Sequence, residues 1–272
     1  MNRIEKALCK INRSDLGLEI GPCHSGIAPK RDGFNVDILD HASKEDLLIK
    51  YKNSSVNLQN IENVDYIWNG QPLSELIGTL GKYDYIIASH VIEHITDPIS
   101  FFIECEKLLK PDGILSLIVP DKRYHFDYFR WPSSTGDVLD AYINKKIRHS
   151  PGTVFDFCAN SVRMGENTAW SKGDSYENVS FINNVELAHK FLIRAQESDE
   201  YLDVHSWRFT PSSFKLILHD LNKLGIIKLS EICSFDTAGC EFHITLGKHT
   251  NAVQAEDRLI LAKAAMNEMI NQ

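Results

Sequence analysis

The sequence predicts an α/β protein built on a doubly wound, mostly parallel sheet. Three observations point there. Short apolar runs alternate with helix signals through the first 120 residues. Several of those runs are apolar at successive positions, as expected of parallel strands buried on both faces. Near the C-terminus, two further runs flank the turn Thr237-Ala238-Gly239 and read as an antiparallel hairpin.

The elements follow in order. Residues 16–20 form the first strand and run into the turn of "GLEIGPCHSGIAPK". Pro29 and Gly33 leave little room for a long helix before the second strand, 36–39. Ser43 caps a helix through Tyr51, with Glu45 and Asp46 in its first turn. Residues 64–68 and 83–89 are the third and fourth strands. Asp97-Pro98 is an N-cap followed by proline at the first helical position. That helix runs to Leu109 and stops before Pro111-Asp112-Gly113. Residues 114–119 are the fifth strand.

Residues 121–209 then break the rhythm. They are rich in aromatic and charged residues, including Trp131, Trp170 and Trp207. We read one domain over residues 1–272, with 121–209 inserted as an acceptor-side or lid region, helical around 137–147 and 185–196. Thr210-Pro211 opens a helix through Leu224 that Gly225 ends. Strands at 227–234 and 241–247 and a helix at 252–270 complete the chain.

The 272 residues are 43% hydrophobic and 24% charged, which permits a buried core. Net charge is −8 and the pI 5.8, without a long Lys/Arg run, so nucleic acid is a poor partner. There is neither an apolar leader pattern nor a stretch of ~18 apolar residues. The expectation is a cytoplasmic protein without a membrane span. The six cysteines are scattered, with no C-x-x-C pair, and read as reduced thiols. The sequence leaves the oligomeric state open.

Ligands of open parallel sheets bind beyond the carboxyl ends of the strands. Gly21 and Gly26 sit at that edge after the first strand, with Pro22 between them. A pyrophosphate turn would spell G-x-G-x-x-G and open a full helix. Here Glu19 stands instead beside the turn, and a carboxylate suits a cationic ligand. Asp40, at the end of "NVDILD", is placed to accept both hydroxyls of a ribose, while Asp37 points to the other side of its strand. A nucleoside with a positive tail meets both demands, and S-adenosylmethionine is such a molecule.

"LEIGPCHSGIAPK", "VDILDH", "YDYIIASHVIEHITDP" and "LLKPDGILSLIVPDKRY" resemble class I S-adenosylmethionine-dependent methyltransferases, especially a bacterial group associated with surface-glycan synthesis. The resemblance covers residues 14–125, and reaches "VHSWRFTPSSF" and the final hairpin more loosely. It implies a Rossmann-like, seven-stranded sheet with its last strand antiparallel. It implies that Glu19, Gly21, Pro22 and Gly26 frame the methionine end of the cofactor and that Asp40 holds the ribose. Asn69 stands where the family often has an acid near adenine, and Ser89 and His90 would line the cofactor's inner side.

"HVIEH", residues 90–94, also fits the inverted zinc-protease pattern H-x-x-E-H. A zinc protease needs both histidines on a regular helix, and here one turn at most separates a strand from the Asp97 cap. We therefore assign no metal from the sequence, although carboxylates such as Asp121 and Asp156 leave room for one. Methyl transfer to a hydroxyl requires a proton acceptor. His94 is the first candidate, with His205 and Asp121 as alternatives. "DKRYHFDYFRW", after the fifth strand, offers Lys122, Arg123 and Tyr124 as contacts to a small-molecule or glycan acceptor. Its competing reading is insertion core. Two other classes stay open: an NAD(P)- or nucleotide-sugar-binding oxidoreductase, and a non-catalytic cofactor-binding partner of a glycan-assembly complex.

Overall fold

The computed structural model describes residues 1–174, 178–248 and 257–270. The helix α1 (Arg3–Ala7) opens the chain, closed by a capping box between Asn2 and Glu5. Then come β1 (Gly17–Ile20), β2 (Val36–Asp40), α2 (Lys44–Tyr51), β3 (Tyr66–Ile67), α3 (Leu73–Ile77) and β4 (Tyr83–Ser89). The helix α4 (Pro98–Leu108) leads into β5 (Leu109–Pro120). The segment after β5 holds α5 (Thr135–Ile143), α6 (Pro151–Asn160), β6 (Val162–Met164), β7 (Val179–Phe181) and α7 (Val185–Glu197). The chain closes with α8 (Pro211–Lys223), β8 (Ser230–Ala238), β9 (Glu241–Gly247) and α9 (Arg258–Ile270).

Seven strands form one sheet in the order β3-β2-β1-β4-β5-β9-β8. The first five are parallel, and β9 runs antiparallel to both β5 and β8. Strand order reverses between β1 and β4, which makes their carboxyl ends the switch-point crevice. One face of the sheet is covered by α4 and α8, through Phe102, Leu108, Phe214 and Leu221. The other packs Ala7 of α1 with Ile27, Ala28, Phe34 and Tyr85. Gly17 is needed there, since a Cβ on it would lie 2.0 Å from the Tyr85 ring.

Local chemistry set most boundaries. Ser43 accepts from the Asp46 amide, Asp97 from the Ser100 amide, and Thr210 and Ser213 form a capping box. The expected long strand at 64–68 is only the two-residue β3. β5 starts earlier than expected, because Leu109 already pairs with Tyr83 and the Pro111-Asp112-Gly113 turn is absorbed as a register shift. The hairpin strand β8 runs to Ala238, so the turn lies at Gly239, with φ +64. Of the expected helix at 252–270, residues 252–256 lie outside the described residues.

Residues 121–209 hold more regular structure than their sequence suggested. The helix α6, capped by Ser150 with Pro151 in its first turn, went unassigned, as did the two-stranded β6–β7 ribbon. α6 and α7 pack together through Val154, Cys158, Ala188 and Ala195.

Candidate active site

Two loops flank the crevice. The one after β1 begins at Gly21, with φ +66, and continues through Cys23, with φ +47. The one after β4 begins at His90, with φ +54. Left-handed backbone at non-glycine residues stores strain and gathers where chains clamp ligands. A Cβ on Gly21 would stand 3.2 Å from the Val91 side chain, so the two loops approach each other closely.

Glu19 is 1% exposed. Its carboxylate accepts from the Ile27 amide at 2.5 Å and the Ala28 amide at 3.1 Å, so it holds the far end of its own loop. Burial pushes its pKa up to about 7, against the pull of those two amides. Pro22, Gly26 and Glu19 border a narrow cleft that reaches Asn60 and Glu62. Asp40 ends β2 as expected. It accepts from the Cys23 amide at 3.0 Å and from the His41 amide at 2.8 Å, tying the loop after β1 to the tip of β2. Asp37 points away, to Lys82 and Tyr83, as expected. Asn69 is exposed, and its amide donates to Gln71.

Ser89 and His90 lie at the tip of β4, but both are engaged by residues from the two ends of the chain. Arg3 of α1 donates to Ser89 Oγ at 2.8 Å and to Glu241 of β9 at 2.7 Å. The other Glu241 oxygen meets His90 Nε2 at 2.8 Å. Burial alone would raise the Glu241 pKa, but bonds from His90 and Arg3 hold it down to about 2.

Beyond His90 the structure gathers a cluster from three parts of the chain. Glu93 and His94 lie on the short turn after β4, and His205 and Asp203 come from the stretch before α8. Asp127 comes from the segment after β5. His94 Nδ1 pairs with Asp203 at 2.7 Å, and His205 Nδ1 with Asp127 at 2.7 Å. Their Nε2 atoms lie 3.9 and 4.0 Å from the same Glu93 oxygen. Burial lowers the His94 pKa, but the Asp203 bond and the Glu93 charge outweigh it and leave it raised. Asp127 is held well below the usual carboxylate range: burial opposes this, and His205, His125 and Arg130 prevail. His125, fully buried, is pushed down to about 3 by desolvation.

The cluster's carbonyl side is pinned too, since Ser206 and Trp207 both donate their amides to Glu93 O. Trp207 Nε1 donates to Ile95 O. Next to it opens a cavity of ≈ 180 Å³, lined by Arg130, Arg148, His149, Ser206, Trp207 and Arg208 among others. Burial, then the charge of Arg130, lowers the Arg208 pKa to about 10.

His94 and His205 thus come together, with ring centroids 4.6 Å apart. Asp121 does not join them. It is 0% exposed, and its oxygens accept from Arg123 Nε and Nη2 at 2.9 and 2.6 Å and from Thr237 at 2.6 Å. Lys122 is buried, with Nζ on the Tyr128 carbonyl, and desolvation lowers its pKa to about 8. Tyr124 is buried against Val162 and Trp170. Lys122 and Tyr124 therefore occupy core and Arg123 lies half-buried on Asp121 rather than on a cleft wall, and Arg130, Arg148 and Arg208 are the guanidinium groups at the cavity. No sequence signal distinguished these three arginines from their neighbours.

The sheet order β3-β2-β1-β4-β5-β9-β8, with its switch point between β1 and β4, defines a Rossmann-like α/β class. A model of the methyltransferase domain matches residues 15–222, more than half of the chain, and the chain belongs to that family. Its cofactor is S-adenosylmethionine, and this membership displaces the oxidoreductase reading. The ubiquinone biosynthesis O-methyltransferase of Actinobacillus pleuropneumoniae serotype 7 is 30% identical over 112 residues, 36% of this chain and 42% of that protein. That of serotype 5b is 31% identical over 75 residues, 28% and 27% of the two chains. The chain thus spans less than half the length of the curated relatives it matches. A solved structure described as a putative zinc-dependent alcohol dehydrogenase of Rhodobacter sphaeroides aligns at TM-score 0.48 and 12% identity, over 91% of this chain and 89% of that one. A Burkholderia thailandensis 1,6-didemethyltoxoflavin-N1-methyltransferase with S-adenosylhomocysteine aligns at 0.44 and 11%, over 91% and 76%. At these TM-scores neither likeness bears on the reaction.

The residues present fit the cofactor. The paired left-handed turns open the crevice between β1 and β4, and Asp40 ends β2 buried beneath it; the Cys23 amide, the His41 amide and His41 Nδ1 engage its oxygens, and of the about four acceptor positions of a carboxylate one is left for a ligand hydroxyl. No described helix is long and apolar enough to cross a membrane.

Proposed function

We propose that this chain O-methylates a hydroxyl of a small polar acceptor, a sugar or related molecule, docked under residues 121–209. The observation that carries the reading is the meeting of Glu93, His94 and His205 beside the switch-point crevice. S-adenosylmethionine supplies an electrophilic methyl on a positive sulfur. Gly21, Pro22 and Gly26 frame its methionine end, with Glu19 fixing the turn they form, and Asp40 takes the ribose hydroxyls. Asn69, Ser89 and His90 stand at the rim and inner wall.

His94 presents Nε2 toward the cluster while Asp203 holds Nδ1, an orientation that suits taking the acceptor's proton. His205 is oriented in the same way by Asp127. Asp121 then serves as the positioning residue for Arg123. Residues 121–209 act as the acceptor-side region of a single domain and exclude water when the acceptor is held.

The relatives' name supports O-methylation but brings a second acceptor class, a ring on a ubiquinone precursor. The polar lining of the cavity, with Arg130, Arg148 and Arg208, favours a hydroxyl-rich or anionic acceptor over an apolar one. Calorimetry with S-adenosylhomocysteine tests the cofactor site. Asp40→Ala should weaken binding by ~10-fold or more, the worth of a charge-assisted hydrogen bond, and Gly21→Trp should abolish it. Unchanged affinity in both variants defeats the assignment. Label transfer from S-adenosylmethionine to panels of sugars and of phenols separates the two acceptor classes.

A further inference from the structure

Glu93 is 0% exposed, and neither of its carboxylate oxygens has a hydrogen-bond partner among the described residues. An uncompensated buried carboxylate costs several kcal/mol. Nearby nitrogens stand just outside hydrogen-bonding range. His94 Nε2 and His205 Nε2 lie 3.9 and 4.0 Å from Oε1, and His90 Nδ1 lies 3.6 Å from it. Each of these histidines has its other nitrogen fixed by a carboxylate: Asp203 for His94, Asp127 for His205, Glu241 for His90. That is the outer arrangement that aims imidazoles at a metal.

One ligand atom each from Glu93, His94 and His205 lies within 4.8 Å of the others. Bonds of about 2.1 Å around one ion set ligand atoms roughly 3 to 4.2 Å apart, and the two spacings from Glu93 to the imidazoles, 3.9 and 4.0 Å, fall in that range. We propose that Glu93, His94 and His205 bind a divalent first-row transition-metal ion, with open positions that take oxygens of the acceptor. A two-histidine, one-carboxylate set suits zinc, cobalt, iron or manganese and leaves coordination sites free. Sequence spacing could not show it. His90 and His94 flank a single short turn, and the second imidazole ligand arrives from residue 205, through the inserted segment.

The inference rests on the proposed acceptor site and refines it: with the ion bound, His94 and His205 are ligands rather than proton acceptors, and the metal orients the acceptor's hydroxyl and lowers its pKa so that its proton leaves to solvent. The test uses the full chain, stripped with chelator and dialysed, then titrated with Zn²⁺ by calorimetry and with Co²⁺ by visible absorption. Expected is one equivalent of ion and a cobalt spectrum showing nitrogen ligation. Glu93→Gln and His205→Asn should each abolish that uptake, and Asp127→Asn should weaken it by about 10- to 100-fold. All three should still bind S-adenosylhomocysteine, which shows them folded. His189→Ala, on an exposed face of α7, should bind the ion as the parent does. A parent chain that takes up no equivalent, or Glu93→Gln and His205→Asn variants that bind as the parent does, overturns the proposal. A chain that binds S-adenosylhomocysteine but no ion loses the metal alone. One that binds the ion but not the cofactor product loses the cofactor reading of the crevice.

Discussion

Glu19 shows how one side chain reads differently before and after folding. In the sequence it is an acid beside a turn, available to a cation. In the structure it faces Ile27 and Ala28 and is nearly sealed from solvent. Its folded pKa, about 7, lies above its ordinary value. The stability this contributes is fully present below the unfolded pKa and is lost as pH rises through the folded one. Glu19→Gln carries no charge to bury. Denaturation of both proteins from about pH 5 to about pH 8 should therefore show the parent losing stability relative to the variant, on the order of 1–3 kcal/mol. A difference that stays flat with pH would contradict the buried-acid account. The places of Asp40 and Gly21 at the strand tips were legible because strand ends are set by local sequence. Arg3 and Glu241 were not, because α1 and β9 meet at the tip of β4 only through the sheet's long-range pairing.

Elements were readable where capping chemistry marks them. Ser43, Asp97 and Thr210 each hold the amide three residues on, and the helices begin where those side chains place them. Asp97 also accepts from the Ser100 hydroxyl, so it anchors α4 directly after the turn that carries Glu93 and His94. Asp97→Ala should lower stability by about 1 kcal/mol, read as a shift in the chemical denaturation midpoint with an unchanged slope. A neutral effect would mean that packing of Phe101 and Phe102 alone sets the helix start. The helix α6 carries the same cap-and-proline signal at Ser150-Pro151, but aromatic and charged residues around it mask the helical periodicity. β3 shrank because only two of its residues find partners on β2.

At the scale of the whole molecule, the stretch 203–209 is the fastener between residues 121–209 and the sheet. It donates backbone amides to Glu93 and the Trp207 indole to Ile95, and its His205 completes the cluster. Trp207→Phe keeps an aromatic ring but removes that donor, leaving a buried carbonyl unpaired. We expect about 1–3 kcal/mol of lost stability and a raised KM for the acceptor, with S-adenosylhomocysteine affinity unchanged. Equal loss of both affinities would mean that this stretch supports the cofactor crevice rather than the acceptor side. The acidic chain places its cations selectively: Lys122 is buried and Arg123 half-buried near α9, while Arg130, Arg148 and Arg208 reach the cavity.

The sequence by itself determined the parallel sheet, its antiparallel hairpin, most helix starts and the two carboxylates at the first strand tips. These follow from local periodicity, capping and the fixed geometry of a strand end, all of which act over a few residues. The tertiary structure alone decided which way each carboxylate turned, which arginines met the cavity, and that His205 would stand opposite His94. Those outcomes depend on contacts that span 8 positions for Glu19 and Ile27 and about a hundred for His94 and His205, where burial and pairing, rather than local preference, set the free energy.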